Sequence, residues 1–518
     1  MTHHNASRRL FLRHAGAMAS LLGPAVAPFA LNLSAMGSAA AQAAPDYKAL
    51  VCLFLFGGND AFNMVLPTDA ASWTNYSTVR NQAPDSIALL APGTPPNSGA
   101  AAGAPARLGG VLPILPANPQ GRSFALHPVM GSLQQLFNND KRLAIVPNVG
   151  PLVMPTTKAQ YGQSSHPKPA SLFSHNDQQN TWQAMAPEGA TRGWGGRMGD
   201  LLASMNARPV FTSVSAAGNA VWLAGDSVKQ YQVGTSGAIR MGTDSNGRVF
   251  GSADVGTAMQ RIVGATRGGH VFERDLAALN QRAIDAELAL RTALKPASDG
   301  LFGTAPASGG YNANNDPKLQ YDNPLTGAKA FNPLAQQLQM VARMIDASGA
   351  GGVQARRQVF FVSMGGFDTH DNQNRNHADL MARLAHALAY FDTALGAMGA
   401  RNLVTTFTAS DFGRTFTSNG DGTDHGWGAH HFVMGGAVRG GDLYGSFPVL
   451  GAKNPNNNNF DASPNQVGNG ALLPQTSVDQ LGATLGRWFG NLSDGQLLDL
   501  FPNLANFNQR NLGFMNAS

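Results

Sequence analysis

The chain has 518 residues, of which 43% are hydrophobic and only 13% charged. That length buries a large core, which excludes a small stapled domain and a disordered tail. Three of the 36 basic residues lie in residues 1–43, which hold no acid; the remaining 33 face 31 acidic residues, a balance of +2. So even a balance gives no electrostatic case for nucleic acid as a partner, and a single cysteine, Cys52, excludes an intramolecular disulfide.

Residues 1–43 read as an address. Ser7-Arg8-Arg9-Leu10-Phe11-Leu12-Arg13 precedes a mildly apolar stretch from Ala15 to Ala35, and Ala41-Gln42-Ala43 follows. The pattern resembles a twin-arginine export signal cleaved after Ala43. Pro24, Pro28 and Asn32 interrupt the apolar run, which counts against a membrane anchor. The expected compartment is therefore the periplasm or outside the cell. Such signals carry proteins already folded, so a metal loaded before export is compatible with it.

Residues 44–518 read as one α/β domain with insertions near 92–122, 297–322 and 453–475, the last containing Asn456-Asn457-Asn458-Asn459. In chain order the patterns predict strands at 48–56, 142–147, 210–214, 358–363, 403–409 and 432–435. They predict helices at 126–138, 196–205, 271–294, 333–347, 377–398 and 477–489. The strands are short apolar runs with little alternation, as in a parallel sheet buried on both faces. The 377–398 helix carries Leu380, Leu384, Leu388, Phe391 and Leu395 at spacings of three and four, one face for packing on that sheet.

Four segments concentrate Asp, His, Ser and Gly. Phe56-Gly57-Gly58-Asn59-Asp60 follows the first strand. Its glycines permit a tight turn, and Asp60 offers a carboxylate where open α/β sheets bind ligands; an ordinary Asx turn is the alternative. In Ser171-Leu172-Phe173-Ser174-His175-Asn176-Asp177, Ser174 has the spacing of a helix cap, and its hydroxyl would sit at a positive helix end. Met364-Gly365-Gly366-Phe367-Asp368-Thr369-His370-Asp371 is the best local signal. Asp368 and His370, two apart, point the same way in extended backbone and can bite one metal.

The fourth segment runs from Ser410-Asp411-Phe412-Gly413-Arg414-Thr415 through Gly422-Thr423-Asp424-His425-Gly426 to His430-His431. Asp411 follows a strand as Asp60 does, and neutral imidazole is the commonest transition-metal ligand. His431 enters the apolar Phe432-Val433-Met434 and also reads as a core residue. His127, His377 and His386 lie on predicted helices and read as structural or surface residues. No G-x-G-x-x-G, P-loop or G-x-S-x-G pattern occurs.

In this order the four segments resemble the domain-of-unknown-function 1501 family, over roughly residues 45–490. That family is similar to the alkaline phosphatase and sulfatase superfamily, so the resemblance implies a mostly parallel central sheet between helical layers. It also implies roles: Asp60 as first metal ligand, Ser174 as nucleophile, Asp368 and His370 as the Asp/His pair, Asp411 as the strand-end carboxylate, and His425 or His430 as closing ligand. Ser164, Ser165 and Thr181 lie near enough to compete with Ser174. Phe412 stands where the superfamily's strand-end Asp-His motif has histidine, so that nitrogen is missing unless His425 supplies it.

The expected function is an exported hydrolase of phosphate or sulfate esters, on small molecules or polymers, using one or two divalent ions, zinc, manganese or calcium. The metal would activate the nucleophile. Arg414, or a backbone N–H at the Ser174 helix, would hold the remaining oxygen. The competing expectations are an exported binding or assembly protein that keeps the fold, with or without a structural metal, and a hydrolase of a polyester or other non-ionic polymer.

Overall fold

The computed structural model describes residues 46–516 apart from 241, 245, 266–269 and 458. The expected export signal lies outside the described residues. Eight strands form the central sheet: β1 (Lys48–Leu55), β2 (Leu143–Gly150), β3 (Ser213–Ser215), β4 (Tyr231–Gln232), β5 (Arg357–Met364), β6 (Val404–Ser410), β7 (Ala429–Met434) and β8 (Thr476–Ser477). Their spatial order is β8-β2-β7-β6-β1-β5-β3-β4. β7 runs antiparallel to both its neighbours, and every other adjacent pair is parallel. The protein is thus α/β with a large, mostly parallel sheet flanked by helices.

β1 lies in the middle, with Cys52 opposite Phe361 of β5 on one side and Phe407 of β6 on the other. Side chains alternate along a strand, and both of its faces are covered. Ala49, Val51 and Leu53 pack into the layer made by α7 (Pro333–Asp346) and α8 (Gln373–Ala397), with Leu338, Leu384 and Leu388. Leu50, Cys52 and Phe54 pack into the opposite layer with Trp194 and Met198 of α4 (Trp194–Leu202), and with Leu481 and Leu485 of α9 (Val478–Gly490). Two-sided burial is why these strands read as unbroken apolar runs.

The other helices of eight or more residues among the described residues are α1 (Ala70–Arg80), α2 (Gly131–Asn138), α3 (His175–Ala184), α5 (Ala253–Gly264) and α6 (Val271–Ala293). The helix expected from residue 126 starts at Gly131. Phe124–Leu126 instead pairs with Val65–Pro67 in a small three-stranded sheet that Leu112–Ile114, from the first expected insertion, completes. Pro128 also disfavours helix at His127. Among the described residues no helix is long and apolar enough to cross a membrane.

Candidate metal centre

β1, β5 and β6 are parallel neighbours, so their carboxyl ends release three loops side by side, the place where such sheets bind ligands. The loop after β5 supplies Asp368 and His370. The turn after β6 supplies Asp411, Phe412 and Arg414. The first residue of α3 is His175, and His425 comes from the segment leading into β7. His175, Asp368 and His425 each offer a ligand atom, and these atoms lie within 4.8 Å of one another.

The hydrogen bonds behind the two imidazoles determine what the front offers. His425 Nδ1 lies 2.7 Å from the Phe173 carbonyl oxygen. A carbonyl has no proton to give, so Nδ1 carries the hydrogen, and Nε2 of the neutral ring is an acceptor, 3.1 Å from His370 Nε2. His175 Nδ1 lies 2.6 Å from Asp411 Oδ2. That oxygen already accepts from the Gly57 amide at 3.2 Å and from Gln179 Nε2 at 2.8 Å. His175 therefore donates as well, and its Nε2 faces Asp368 Oδ2 at 3.5 Å. An imidazole held from behind by a carboxylate or carbonyl is the usual support of a metal-binding histidine. Asp411 is wholly buried, and its Oδ1 has no hydrogen-bond partner among the described residues.

Asp368 Oδ1 takes Arg414 Nη1 at 2.6 Å and lies 3.0 Å from His370 Nε2. Burial alone would raise the Asp368 carboxyl; the Arg414 hydrogen bond and charge, with the charges of His370 and His175, outweigh it and hold the pKa below the ordinary carboxylate value. The Asp411 hydrogen bond raises the His175 pKa against burial, which lowers it. Burial lowers that of His425. Phe412 fills the space behind, its ring 4.8 Å from that of His175 and 4.7 Å from that of His425. The position where the resemblance leads one to expect a ligand is a packing wedge for two others.

Gly57 makes the turn that brings β1 against Asp368. Its φ is +115°, and a Cβ there would collide with the Asp368 backbone amide. Gly57→Ala is expected to destabilise the fold by about 2 kcal/mol or more through the strained φ alone and to displace Asp368. A thermal melt and a metal-uptake assay on one sample test both effects.

The structure gathers Asp368, His370, Asp411 and His425 and places four expected residues otherwise. Asp60 is wholly buried and committed to Arg80 of α1, at 2.6 and 3.0 Å, and to Gln373 at 2.6 Å; it also caps the helical turn that follows it. Its carboxylate neutralises a buried guanidinium and leaves the metal-ligand set. Arg80→Ala would strand that charge, at a cost of about 3–5 kcal/mol in urea unfolding. His430 is buried in β7, where its Nδ1 accepts from the Asn148 amide at 3.0 Å and its ring stacks on Phe447. Its partners lie in β2 and the core, not in the cluster.

Ser174 is the N-cap residue of α3 but makes no side-chain cap hydrogen bond; its hydroxyl bonds the Asp177 carboxylate instead. Arg414 is fully buried, with its donors on Asp368, the Gly57 carbonyl and both oxygens of Thr423. It fixes Asp368 instead of reaching a substrate oxygen.

His175 was absent from the expected ligands. The only signal for it was its place beside Ser174. Asp424 joins at the edge, 3.3 Å from His370 Nδ1.

An α/β protein whose parallel strands end at a cluster of two histidines and one carboxylate is the class that fold and site define. The chain belongs to the family described as "Protein of unknown function (DUF1501)", whose profile matches residues 47–499. No curated protein matches it. Among solved structures it is similar to one titled "Crystal structure of Ps i-CgsB in complex with k-i-k-neocarrahexaose", with 10% identity, a TM-score of 0.30, and coverage of 73% of this chain and 72% of that one.

Proposed function

We propose that this protein is an exported, metal-dependent ester hydrolase, with phosphate and sulfate esters as its substrate class. The observation that carries the reading is the pair of imidazoles fixed by Asp411 and the Phe173 carbonyl, both with Nε2 turned to Asp368. Lone pairs and a carboxylate converging so closely favour a cation among them. Two histidines and one carboxylate leave coordination positions open, as catalytic centres do and closed structural sites do not. Two nitrogen donors favour zinc or manganese over calcium, which takes oxygen ligands.

When bound, the metal would supply Lewis acidity toward an ester oxygen and an acidified water at neutral pH. The chain does the rest. His175, Asp368 and His425 hold the ion, Asp411 and Phe412 hold the imidazoles, and Arg414 keeps Asp368 ionised. His370 is 40% exposed, with Asp424 behind its Nδ1. It is the group placed to pass a proton to the departing oxygen. Water is the attacking group in this reading, since Ser174 contributes no atom to the cluster of His175, Asp368 and His425.

The test is turnover of aryl phosphate and aryl sulfate by protein purified without chelator. Activity that chelation removes and metal restores is expected, and His370→Gln should lower turnover about 10²–10⁴-fold with metal content unchanged. A metal-free protein that takes up none on addition would falsify the reading.

A further inference from the structure

Of the thirteen large apolar side chains exposed among the described residues, nine lie between Ile239 and Leu288. This region is dominated by the hairpin of α5 and α6. The second half of α6 is anchored: Ala286 and Leu290 are buried in the main core, and Glu287 pairs with Arg240 and Arg291. Its first half does not reach that core and packs on α5, through buried Ala277 and the Asn280 side chain, which donates to the Val263 carbonyl at 3.0 Å. Phe272, Leu276 and Leu279 are each more than half exposed, and Ala283 is exposed too.

These four residues are spaced four, three and four apart. At 3.6 residues per turn they form one narrow stripe about 16 Å long. The spacing reads the same in both directions. Two copies of the stripe therefore mesh antiparallel about a twofold axis, Phe272 level with Ala283 of the partner subunit and Leu276 level with Leu279 of the partner subunit. A closed twofold contact uses one patch twice and needs this self-complementarity.

The flanking charges agree. Asp275 and Arg282 are seven apart, so they border the same edge of the stripe, and both are exposed. Antiparallel pairing sets Asp275 beside Arg282 of the partner subunit on that edge, twice over. Glu273 and Asn280 border the other edge, so no like charges are opposed. A lipid surface fits less well, because membrane-lying helices are rich in Lys and Arg on the polar face, whereas this one alternates acid and base.

We propose that the first half of α6 is a self-association surface, on which a second copy of this chain docks antiparallel through Phe272, Leu276, Leu279 and Ala283. The inference is independent of the metal centre. It is tested by sedimentation velocity of the full purified protein over a concentration series. A weak monomer–dimer equilibrium is expected. Leu276→Glu and Leu279→Glu, at exposed positions, should each weaken it at least about tenfold, with the circular dichroism spectrum unchanged.

Asp275→Arg should weaken the dimer, and Asp275→Arg combined with Arg282→Asp should restore it. A monomer at every concentration overturns the proposal, as does a dimer indifferent to the Leu variants. So does a monomer that co-sediments with anionic phospholipid vesicles, which would assign the stripe to a membrane. Failure of the double variant to recover overturns the antiparallel register.

Discussion

Protein purified without chelator is expected to carry about one zinc or manganese ion per chain, and His175→Ala and Asp368→Ala are each expected to lose it. Each variant removes one of only three donors, so affinity should fall more than the ~10–100-fold typical of losing a supporting residue. Asp411→Asn is the informative companion. It removes no donor but weakens the support behind His175 Nδ1, 2.6 Å away, so its loss should fall within that ~10–100-fold range. A competition titration against a chelating dye ranks the variants. Equal effects from all three would make Asp411 a ligand itself. No effect from Asp368→Ala would mean that the bound metal sits elsewhere than in this cluster.

The same series separates the present site from the one the sequence suggests. Asp60→Asn keeps a side chain able to accept from Arg80 and Gln373, and Asp60 contributes no atom to the cluster. It should leave metal content unchanged while lowering stability. The two aspartates end comparable glycine turns, and only their neighbours distinguish them: Arg80 lies twenty residues from Asp60 in sequence, and no local pattern reveals that their side chains meet.

What was legible follows from how each feature is encoded. β1, β2, β5, β6 and β7 lie within a few residues of the apolar runs that predict them, because a strand buried on both faces must be apolar throughout. α8 was equally plain from its leucine spacing. α3 was legible only from the cap spacing at Ser174: His175–Ala184 is polar along its length and has no apolar stripe, so periodicity has nothing to register. The cap gave no sign that α3 starts beside Asp411, and that is what His175 depends on. β4 and β8, two residues each, exist only as pairings to their neighbours.

His430 shows the reverse error. Three histidines within seven residues look like a ligand set, but β7 buries His430 and His431 on opposite faces of one strand. One accepts from the Asn148 amide, and the other lies 3.2 Å from the Thr408 hydroxyl.

Those buried imidazoles determine how the protein meets acid. Burial holds His377, His430 and His431 each down to about 3 and His386 down to about 4, and it pushes His127 well down too, whereas an unfolded histidine titrates near 6.5. Their folded pKa is depressed, so the stability they contribute is complete above about 6.5 and drains as pH falls toward 3. Each loses about 1.4 kcal/mol per pH unit, and the five together about 7.

Asp479 works in the opposite sense. Burial pushes it up to about 6, so it takes its proton earlier folded than unfolded and returns about 1.4 kcal/mol per unit as pH falls from 6 to ~3.9. Five losses against one gain leave a net slope near 5 kcal/mol per unit in that window. Against a total stability of about 5–15 kcal/mol, unfolding is expected between pH 4 and 5. Far-ultraviolet circular dichroism across pH 7 to 3 locates the midpoint. Denaturant unfolding at pH 5, in weakly buffered solution, should take up about four protons per chain, five by the histidines less one released by Asp479. A protein still folded at pH 3, or no proton uptake at pH 5, would mean that these histidines are reached by water or partnered in their charged form.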